Sequence, residues 1–366
     1  MTSALTNELL QSISATIADY RQGEILPPDA DHIQRWVYQF ESAERFTILR
    51  EMDRLLRSHY LSRSQVEGKM RQLIQQEKFF GKDLGAALQR THFLRFSGES
   101  NSQGDLLSIL DNIVRARIGQ EINAHIAFPN NYIYLDDCLF SGNTALNDLR
   151  YWLPRAAPNI TLHVIFLVAY SRGFHHLNRE VARLAQQCRV SVQYFATRIL
   201  QNDRVSGAID ERSAQVKKNA LNHEAFWPHT LYGDKLSDNY LASLRERCQS
   251  KGVATTSFIP FRPVDIPARE TTFSSPQARH VVESAFLKAG LRILGRCKFP
   301  KPELRPLGYE RLEPLGFGAV TVTYRNVANN CPLVWWWGDS RESYPLNTWY
   351  PLFQRKTRMG SSYFGG

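Results

Sequence analysis

The sequence predicts an α/β protein in which a parallel, doubly wound sheet is preceded by a helical extension and followed by an α+β hood. Apolar runs typical of buried strands alternate with polar loops and helical patterns between residues 91 and 196, which is the order of a sheet with crossover helices. The flanking segments lack this alternation. We therefore predict a helical extension over 1–84, a core over 85–205, and a hood over 206–366 whose last strands complete the core.

The composition indicates a globular protein with a basic surface. The chain has 366 residues, 43% of them hydrophobic, and a formal net charge of +10. This charge suits phosphorylated ligands and nucleic acid equally, so it does not choose between them. No apolar run approaches the roughly 20 residues of a membrane span, and the first residues lack the basic and apolar regions of a signal peptide. These features predict a cytoplasmic location and no membrane contact.

The first 84 residues show apolar side chains at helical spacing, for example Ile33, Trp36 and Phe40. Several arginines between residues 50 and 71 accompany this pattern. Two interpretations remain open: a helix-turn-helix that docks on DNA, or helices that pack on the core and expose their basic residues. The second is favoured because no glycine occupies an inter-helix turn.

A first strand, loop and helix unit follows. The segment 91–96 has the composition of a strand, and the helix is predicted to begin at Leu106. The loop between them is rich in small residues, which let backbone amides approach an anion closely. The candidate anion-binding residues of this loop are Ser97, Gly98, Ser102 and Gly104.

The most informative stretch is 131–149, where an apolar strand runs into two adjacent carboxylates and then into a short turn that opens a helix. Asp136 and Asp137 end the strand, at the edge where open α/β sheets bind ligands, and such carboxylates can accept hydrogen bonds from vicinal hydroxyls or hold Mg²⁺. The turn residues are Ser141, Gly142, Asn143 and Thr144. Backbone N–H groups of a turn at a helix N-terminus can hold a phosphate. A sugar phosphate would satisfy both halves of this site.

This order of residues resembles the ribose-phosphate signature of the type I phosphoribosyltransferases: four hydrophobic residues, two acids, a few variable residues, then Ser-Gly-x-Thr. The resemblance implies that Asp136 and Asp137 contact the ribose hydroxyls and that, when PRPP is bound, they also help to ligate Mg²⁺. It implies that residues 141–144 cradle the 5-phosphate and that the loop 97–104 holds pyrophosphate. Phe140 departs from the pattern, because purine-salvage members often carry an aspartate there that assists the chemistry at the base.

Two more predicted strands, 160–170 and 191–196, continue the alternation. The first is an almost continuous apolar run, as expected for a strand covered on both faces. The loops that follow successive parallel strands meet at one edge of the sheet. Arg172 and Arg198 are therefore candidate anion contacts, although a surface role fits each of them equally well.

The C-terminal third contains predicted helices near 234–250 and 276–293, then a strand-like segment over 315–324. Trp335, Trp336 and Trp337 are interpreted as consecutive strand residues. Such residues point to opposite faces, so a role in the core is favoured over stacking on a base.

Four segments resemble the PRTase-CE group, the phosphoribosyltransferase-like proteins of bacterial conflict systems. They are Arg-Trp-x-x-Gln-Phe at 35–40, Gly-Phe-Gly at 316–318, Asn-x-x-Asn-Asn-x-Pro at 326–332 and Trp-x-Pro-Leu-Phe-x-Arg at 349–355. The resemblance makes Arg355 a further candidate anion contact. It also implies a role in anti-phage defence, beside a partner ATPase or a retron reverse transcriptase with its msDNA.

Two classes of function remain open. One is an enzyme that forms or breaks a bond at ribose C1, with Mg²⁺ expected alongside PRPP. The other is a non-catalytic sensor of ribose phosphates or nucleotides that binds a partner protein or nucleic acid. The sequence assigns no dedicated base, since positioning and charge stabilisation supply much of the catalysis of such a reaction.

Overall fold

The structure, a computed structural model, describes residues 2–96, 102–124, 126, 128–204, 222–229, 235–249, 259–263, 266–297, 301 and 303–355. Contacts within the chain divide it into two compact units. The sheet unit spans Arg63–Asn202, and the split unit combines Met1–Ser62 with Asp203–Gly366. The boundaries predicted from the sequence lie at 84/85 and 205/206. In the structure, the helices between residues 63 and 84 share a unit with the sheet.

The secondary structure alternates in the middle of the chain and is mainly helical at both ends. The helices are α1 (Thr2–Thr16), α2 (Ala30–Val37), α3 (Ser42–His59), α4 (Arg63–Leu73), α5 (Glu77–Phe80), α6 (Leu84–Leu88), α7 (Ser102–Ile118), α8 (Asn143–Trp152), α9 (Ser171–Cys188), α10 (Lys235–Gln249), α11 (Pro276–Arg296) and α12 (Leu333–Trp336). The strands are β1 (Tyr60–Leu61), β2 (Thr91–Phe93), β3 (Asn131–Leu139), β4 (Thr161–Tyr170), β5 (Ser191–Leu200), β6 (Val322–Thr323) and β7 (Asn326–Val327). The helices predicted near 234–250 and 276–293 are confirmed as α10 and α11.

The sheet unit is built on four parallel strands in the spatial order β2, β3, β4, β5. The predicted α/β class and its parallel sheet are confirmed. A doubly wound sheet also contains a reversal of strand order, and the four strands described here follow the order of the chain without one. Because all four run in the same direction, their carboxyl ends lie at one edge of the sheet.

The two faces of this sheet are covered by different elements. Tyr134 and Phe166 belong to a buried cluster that also contains Leu149 of α8 and Val181 of α9. On the opposite face, the Phe79 ring of α5 packs edge-on against His163, with ring centroids 5.1 Å apart. Side chains alternate between faces along a strand. Asp136 therefore shares the face of Tyr134, and Asp137 points to the other side.

A small three-stranded sheet joins the two segments of the split unit. Tyr60 of β1 pairs with Val322 of β6 in parallel, and β6 continues into an antiparallel pair with β7. The strand predicted over 315–324 is mostly wrong, because only Val322–Thr323 pairs there. Gly316 and Gly318 have φ values of 115° and 76°, which interrupt an extended backbone.

The tryptophan segment forms part of the core of the split unit. Its interpretation as a strand is wrong, because Leu333–Trp336 is a short helix. Trp335, Trp336 and Trp337 are all buried, so the favoured role in the core is confirmed. The indole N–H groups of Trp36 and Trp349 both donate to the Val334 carbonyl, at 2.8 and 2.9 Å. These bonds tie the N-terminal segment to the C-terminal one.

The split unit also contains a buried network of arginines and glutamates. Glu283 accepts hydrogen bonds from Arg279 at 3.1 Å, from Arg262 at 3.2 Å and from the backbone N–H of Trp227 at 2.9 Å. Arg279 reaches Glu270 as well, at 2.6 Å. Each of these charged side chains therefore has an opposite charge within contact distance.

None of the helices that the structure describes is both long and apolar enough to cross a membrane.

Candidate functional site

The acid pair lies at the carboxyl end of β3, as predicted. Asp136 is in register with Phe166 of β4 and is followed by three more residues before the strand ends at Leu139. Both aspartates are partly exposed, whereas Ile133, Tyr134 and Leu135 before them are buried. The strand thus carries its acid pair from the core to the solvent-accessible edge of the sheet.

Asp136 is held by neutral donors. Its Oδ1 accepts a hydrogen bond from the Ser102 hydroxyl at 2.7 Å and another from the backbone N–H of Asp137 at 2.9 Å. Burial, and secondly the neighbouring Asp137 charge, raise the pKa of Asp136 to about 7. The two hydrogen bonds oppose this rise. Among the residues that the structure describes, no cation contributes to the shift.

Asp137 is oriented by its own strand. Its Oδ1 accepts a hydrogen bond from the backbone N–H of Cys138 at 2.7 Å. Because the two side chains leave opposite faces of β3, they do not share a single ligand position as a chelating pair would. Diol recognition by both acids would therefore need a ligand that lies across the end of the strand.

A third carboxylate lies on the face of Asp136. Asp148 of α8 accepts a hydrogen bond from the Tyr134 hydroxyl at 3.1 Å, and burial raises the pKa of Asp148. Asp148 also contributes to the raised pKa of Asp136. Neither Tyr134 nor Asp148 is among the site residues predicted from the sequence. The two residues are 14 positions apart in the sequence, and they meet only because the turn folds α8 back onto β3.

The predicted phosphate turn connects β3 to α8. Gly142 precedes the helix with a φ of 82°, in the left-handed region that glycine adopts without strain. α8 begins at Asn143, so Asn143 and Thr144 are its first residues. The N–H groups of a first helical turn have no partners within the helix and carry the positive end of its dipole. The backbone of this turn is therefore suited to hold an anion.

The predicted pyrophosphate loop is only partly described. Ser97 and Gly98 lie outside the described residues. The expectation that Ser102 and Gly104 belong to a loop is wrong, since both are in the first turn of α7. The Ser102 hydroxyl supports Asp136, and Gly104 is buried. Helix α7 begins four residues earlier than predicted, and the hydroxyl of its first residue, Ser102, binds a carboxylate that lies 34 residues away in the sequence.

The three candidate arginines occupy different positions. Arg172 is the second residue of α9, and its backbone N–H donates to the Asn202 side chain at 3.0 Å. Arg198 is on β5, opposite Val168 and two residues before the strand ends. Both lie near the carboxyl edge of the sheet. Arg355 belongs to the split unit, where its guanidinium lies 5.2 Å from the centre of the Trp336 ring, and desolvation lowers its pKa.

The described residues do not offer the expected Mg²⁺ a complete set of protein ligands. Among the described residues, no group of three or more potential ligands is placed to hold a metal ion. Two partly exposed carboxylates fit the way in which Mg²⁺ is usually bound, through one or two carboxylates together with substrate phosphates and water. The acid pair could thus contribute to a magnesium site only with the substrate present.

An arginine-rimmed cleft lies elsewhere in the sheet unit, between α4 and α7. Its volume is about 410 Å³. Its lining includes Ile74 and Ile109 at the floor and Arg63, Arg71 and Arg117 at the rim. None of the predicted site residues lines it, and it provides a separate basic surface.

The comparison with protein families gives one match. The family model PRTase-CE covers residues 33–355. No curated protein matches the chain. The matched region includes β3 with its acid pair, the phosphate turn and the C-terminal Trp-x-Pro-Leu-Phe-x-Arg segment. The phosphoribosyltransferase-type α/β fold expected from the resemblance is therefore supported both by the family model and by the parallel sheet. The chain belongs to the PRTase-CE family.

Proposed function

We propose that the protein binds PRPP or a nucleotide through its ribose 5-phosphate and acts at ribose C1. The observation that supports this best is the direct succession of Asp136, Asp137 and the Gly142 turn between β3 and α8. Carboxylates that can accept hydrogen bonds from hydroxyls are followed, a few residues later, by backbone N–H groups that suit a phosphate.

In the proposed reaction, the bond between C1 and its leaving group breaks, and the leaving group takes the electron pair. An acceptor then bonds to C1 and loses its proton. Asp136 and Asp137 would hold the ribose hydroxyls, and the turn at 141–144 would anchor the 5-phosphate. Bound Mg²⁺ would neutralise pyrophosphate. Holding the reacting groups in a well-oriented geometry can supply up to about 7–11 kcal/mol of the barrier to such a reaction.

The biological role that we propose is that of an effector or accessory protein of a bacterial anti-phage system. This part of the proposal rests on membership of the PRTase-CE family and on the resemblance to proteins of conflict systems. The partner would be a defence ATPase or a retron reverse transcriptase with its msDNA, and the site of action would be the cytoplasm.

A second candidate function is a sensor that binds a ribose phosphate without turnover. Phe140 favours it, because its ring stacks on Tyr170 with centroids 5.5 Å apart, where purine-salvage enzymes often carry an aspartate. The arginine-rimmed cleft between α4 and α7 would then provide a surface for an acidic partner. The two candidates differ in whether the bond at C1 changes.

The deciding experiment measures both binding and turnover. Wild type and Asp136→Asn/Asp137→Asn are titrated with PRPP and Mg²⁺, then incubated with a panel of nucleobases, with NAD and with nucleotides. The matched control is Glu8→Gln/Asp238→Asn, which removes two carboxylates from exposed helix positions. We expect the acid-pair variant to weaken PRPP binding at least about tenfold and the control to leave it unchanged.

The outcomes separate the candidates. Binding that depends on the acid pair, together with turnover, supports the enzyme. The same binding without turnover supports the sensor. If wild type binds no phosphoribosyl compound, or if the acid-pair variant binds as tightly as wild type, the proposed ribose site is wrong.

A further inference from the structure

We propose that Gly173, the third residue of α9, is a positioning residue that fixes the phosphate turn at residues 140–144. The inference rests on the proposed function in one respect, the identity of the anion. It concerns a residue outside the ribose-phosphate signature, on the next crossover helix of the sheet.

The first observation is a very close approach of two backbones. A Cβ atom built on Gly173 would lie 1.8 Å from the carbonyl oxygen of Phe140 and 2.8 Å from its carbonyl carbon. Cβ atoms in proteins essentially never come within 3.0 Å of another heavy atom in this way. Any side chain at position 173 must therefore displace the turn or the helix.

The contact is reciprocal. A Cβ atom on Gly142 would lie 2.9 Å from the carbonyl oxygen of Gly173, and the positive φ of Gly142 already requires glycine. The atoms that meet are mainly backbone, and no flexible side chain lies between them that could move aside. The pair of glycines thus sets the distance between the turn and α9.

The start of α9 is itself fixed, so the turn is the element that would have to move. The Ser171 hydroxyl and the Arg172 backbone N–H donate to the Asn202 side-chain oxygen at 3.2 and 3.0 Å. The Asn202 backbone N–H donates in return to the Ser171 hydroxyl at 3.1 Å. Ser171 and Asn202 are 1% and 4% exposed. These bonds hold the first turn of α9 to the end of β5.

A methyl group at position 173 is therefore expected to push the carbonyl of Phe140 away by about 1 Å. The next residues, 141–144, supply the backbone N–H groups that are proposed to hold the 5-phosphate. In enzymes, a misplacement of about 1 Å can lower the rate of the catalysed reaction by about 100-fold. Gly173 would thus control the position of the backbone N–H groups that bind the ligand, without contacting the ligand itself.

The test compares Gly173→Ala with Gly68→Ala. Gly68 is also a helical glycine of the sheet unit, but a Cβ there would meet no heavy atom within 4 Å. We expect Gly173→Ala to weaken the binding of ribose 5-phosphate at least about tenfold. Binding of magnesium pyrophosphate, which lacks the 5-phosphate, is expected to stay within about twofold of wild type. Gly68→Ala should change neither.

Hydrogen exchange provides a second measurement that does not depend on the ligand. In Gly173→Ala, amides of residues 139–146 should exchange at least about tenfold faster than in wild type, whereas amides of α4 and α7 should not change. Equal weakening of both ligands, or faster exchange throughout the sheet unit, would indicate a general loss of stability and would overturn the proposal.

The failure of this proposal can be distinguished from the failure of the proposed function. If wild type binds no ribose 5-phosphate, the proposed function is wrong, and local exchange at 139–146 still decides the positioning role. Unchanged exchange in Gly173→Ala overturns that role whatever the ligand. If Gly173→Ala does not fold, Asn202→Ala replaces it: a local rise in exchange at 139–146 supports the proposal, and its absence overturns it.

Discussion

The two units use partly or fully buried carboxylates in opposite ways. In the split unit, Glu283 is fully buried and contacts two arginines and a backbone N–H. In the sheet unit, the described residues offer Asp136 a hydroxyl and a backbone N–H but no cation, and its pKa rises to about 7. A buried ion pair is a common structural arrangement, whereas an acid without a cation is destabilising and is typical of functional sites. The comparison therefore indicates that Glu283 has a structural role in the split unit, whereas Asp136 belongs to the candidate site of the sheet unit.

The largest effect is expected for Glu283→Ala. Removing this carboxylate leaves Arg262 with no carboxylate partner among the described residues and deprives the Trp227 backbone N–H of its acceptor. We expect the free energy of unfolding of the split unit to fall by about 3–5 kcal/mol. Tryptophan fluorescence in urea reports on this unit, because six of the seven tryptophans lie in it.

The exposed Glu8→Ala serves as the control and should shift the unfolding free energy by less than about 0.5 kcal/mol. A loss below about 1 kcal/mol in Glu283→Ala would mean that the buried network contributes little.

The second effect is the pH dependence of Asp136. The pKa of Asp136 is about 7 in the folded protein, compared with 3.8 for an unperturbed aspartate. The raised pKa means that the folded state binds the proton more tightly, so the free energy of unfolding falls as pH rises from about 4 to 7. Asp136→Asn should remove this fall. We expect the variant to gain about 1–3 kcal/mol over wild type at pH 8, and less at pH 5.

Hydrogen exchange of β3 and β4 amides at the two pH values measures this stability. Asp238→Asn, at an exposed position, should show no such difference. An Asp136→Asn variant that gains as much at pH 5 as at pH 8 would contradict the raised pKa.

A third, smaller effect is expected for Ser102→Ala. The substitution removes the 2.7 Å hydrogen bond to Asp136, which holds the pKa of that carboxyl down. The pKa of Asp136 should therefore rise further, and the sheet unit should lose about 1 kcal/mol of stability. Carboxyl ¹³C NMR can follow the titration. Ser108→Ala is a matched control on the same helix, since the Ser108 hydroxyl donates to the Gly104 carbonyl at 2.9 Å and not to a carboxylate among the described residues.

The smallest effect is expected on the surface of the sheet unit. Glu67 contacts Arg63 and Arg71 at 3.2 and 3.6 Å, but both arginine side chains are more than half exposed. Solvent and salt screen such pairs. Glu67→Gln should therefore lower the free energy of unfolding by no more than about 0.5 kcal/mol, and the change should vanish in 1 M NaCl. A larger loss in urea unfolding would show that this surface contributes to the architecture as much as the buried network does.

Local sequence predicted the elements of the sheet unit well. The strands β3, β4 and β5 and the helices α8 and α9 show clear apolar patterns, and the acid pair with its glycine turn is a contiguous signal. Ser102 was predicted in a loop because the stretch around it is polar and rich in small residues. Its partner Asp136 lies 34 residues away, so the local sequence does not reveal their hydrogen bond. Position in the sequence does not reveal a partner in space.

The split unit was harder to predict for the same reason. The backbone N–H of Ser274 donates to Glu51 at 2.8 Å, a contact between residues 223 positions apart. Trp335 and its neighbours are buried on all sides, so their segment has neither the alternation of a half-buried strand nor the stripe of an amphipathic helix. The sequence predicted a turn at 141–144 between a strand and a helix, but it did not single out Gly173, since a single glycine near a helix start is common.

The split unit has a consequence for how the chain is made. Tyr20 donates a hydrogen bond to the carbonyl of Gln354 at 3.1 Å, and its ring packs edge-on against Phe353. During synthesis, α1 to α3 can pack on one another early, but they meet their C-terminal partners only when almost the whole described chain has left the ribosome, whereas the residues of the sheet unit are complete once Asn202 has emerged. The acid pair can thus be assembled on a nascent protein whose N-terminal helices still lack their C-terminal partners.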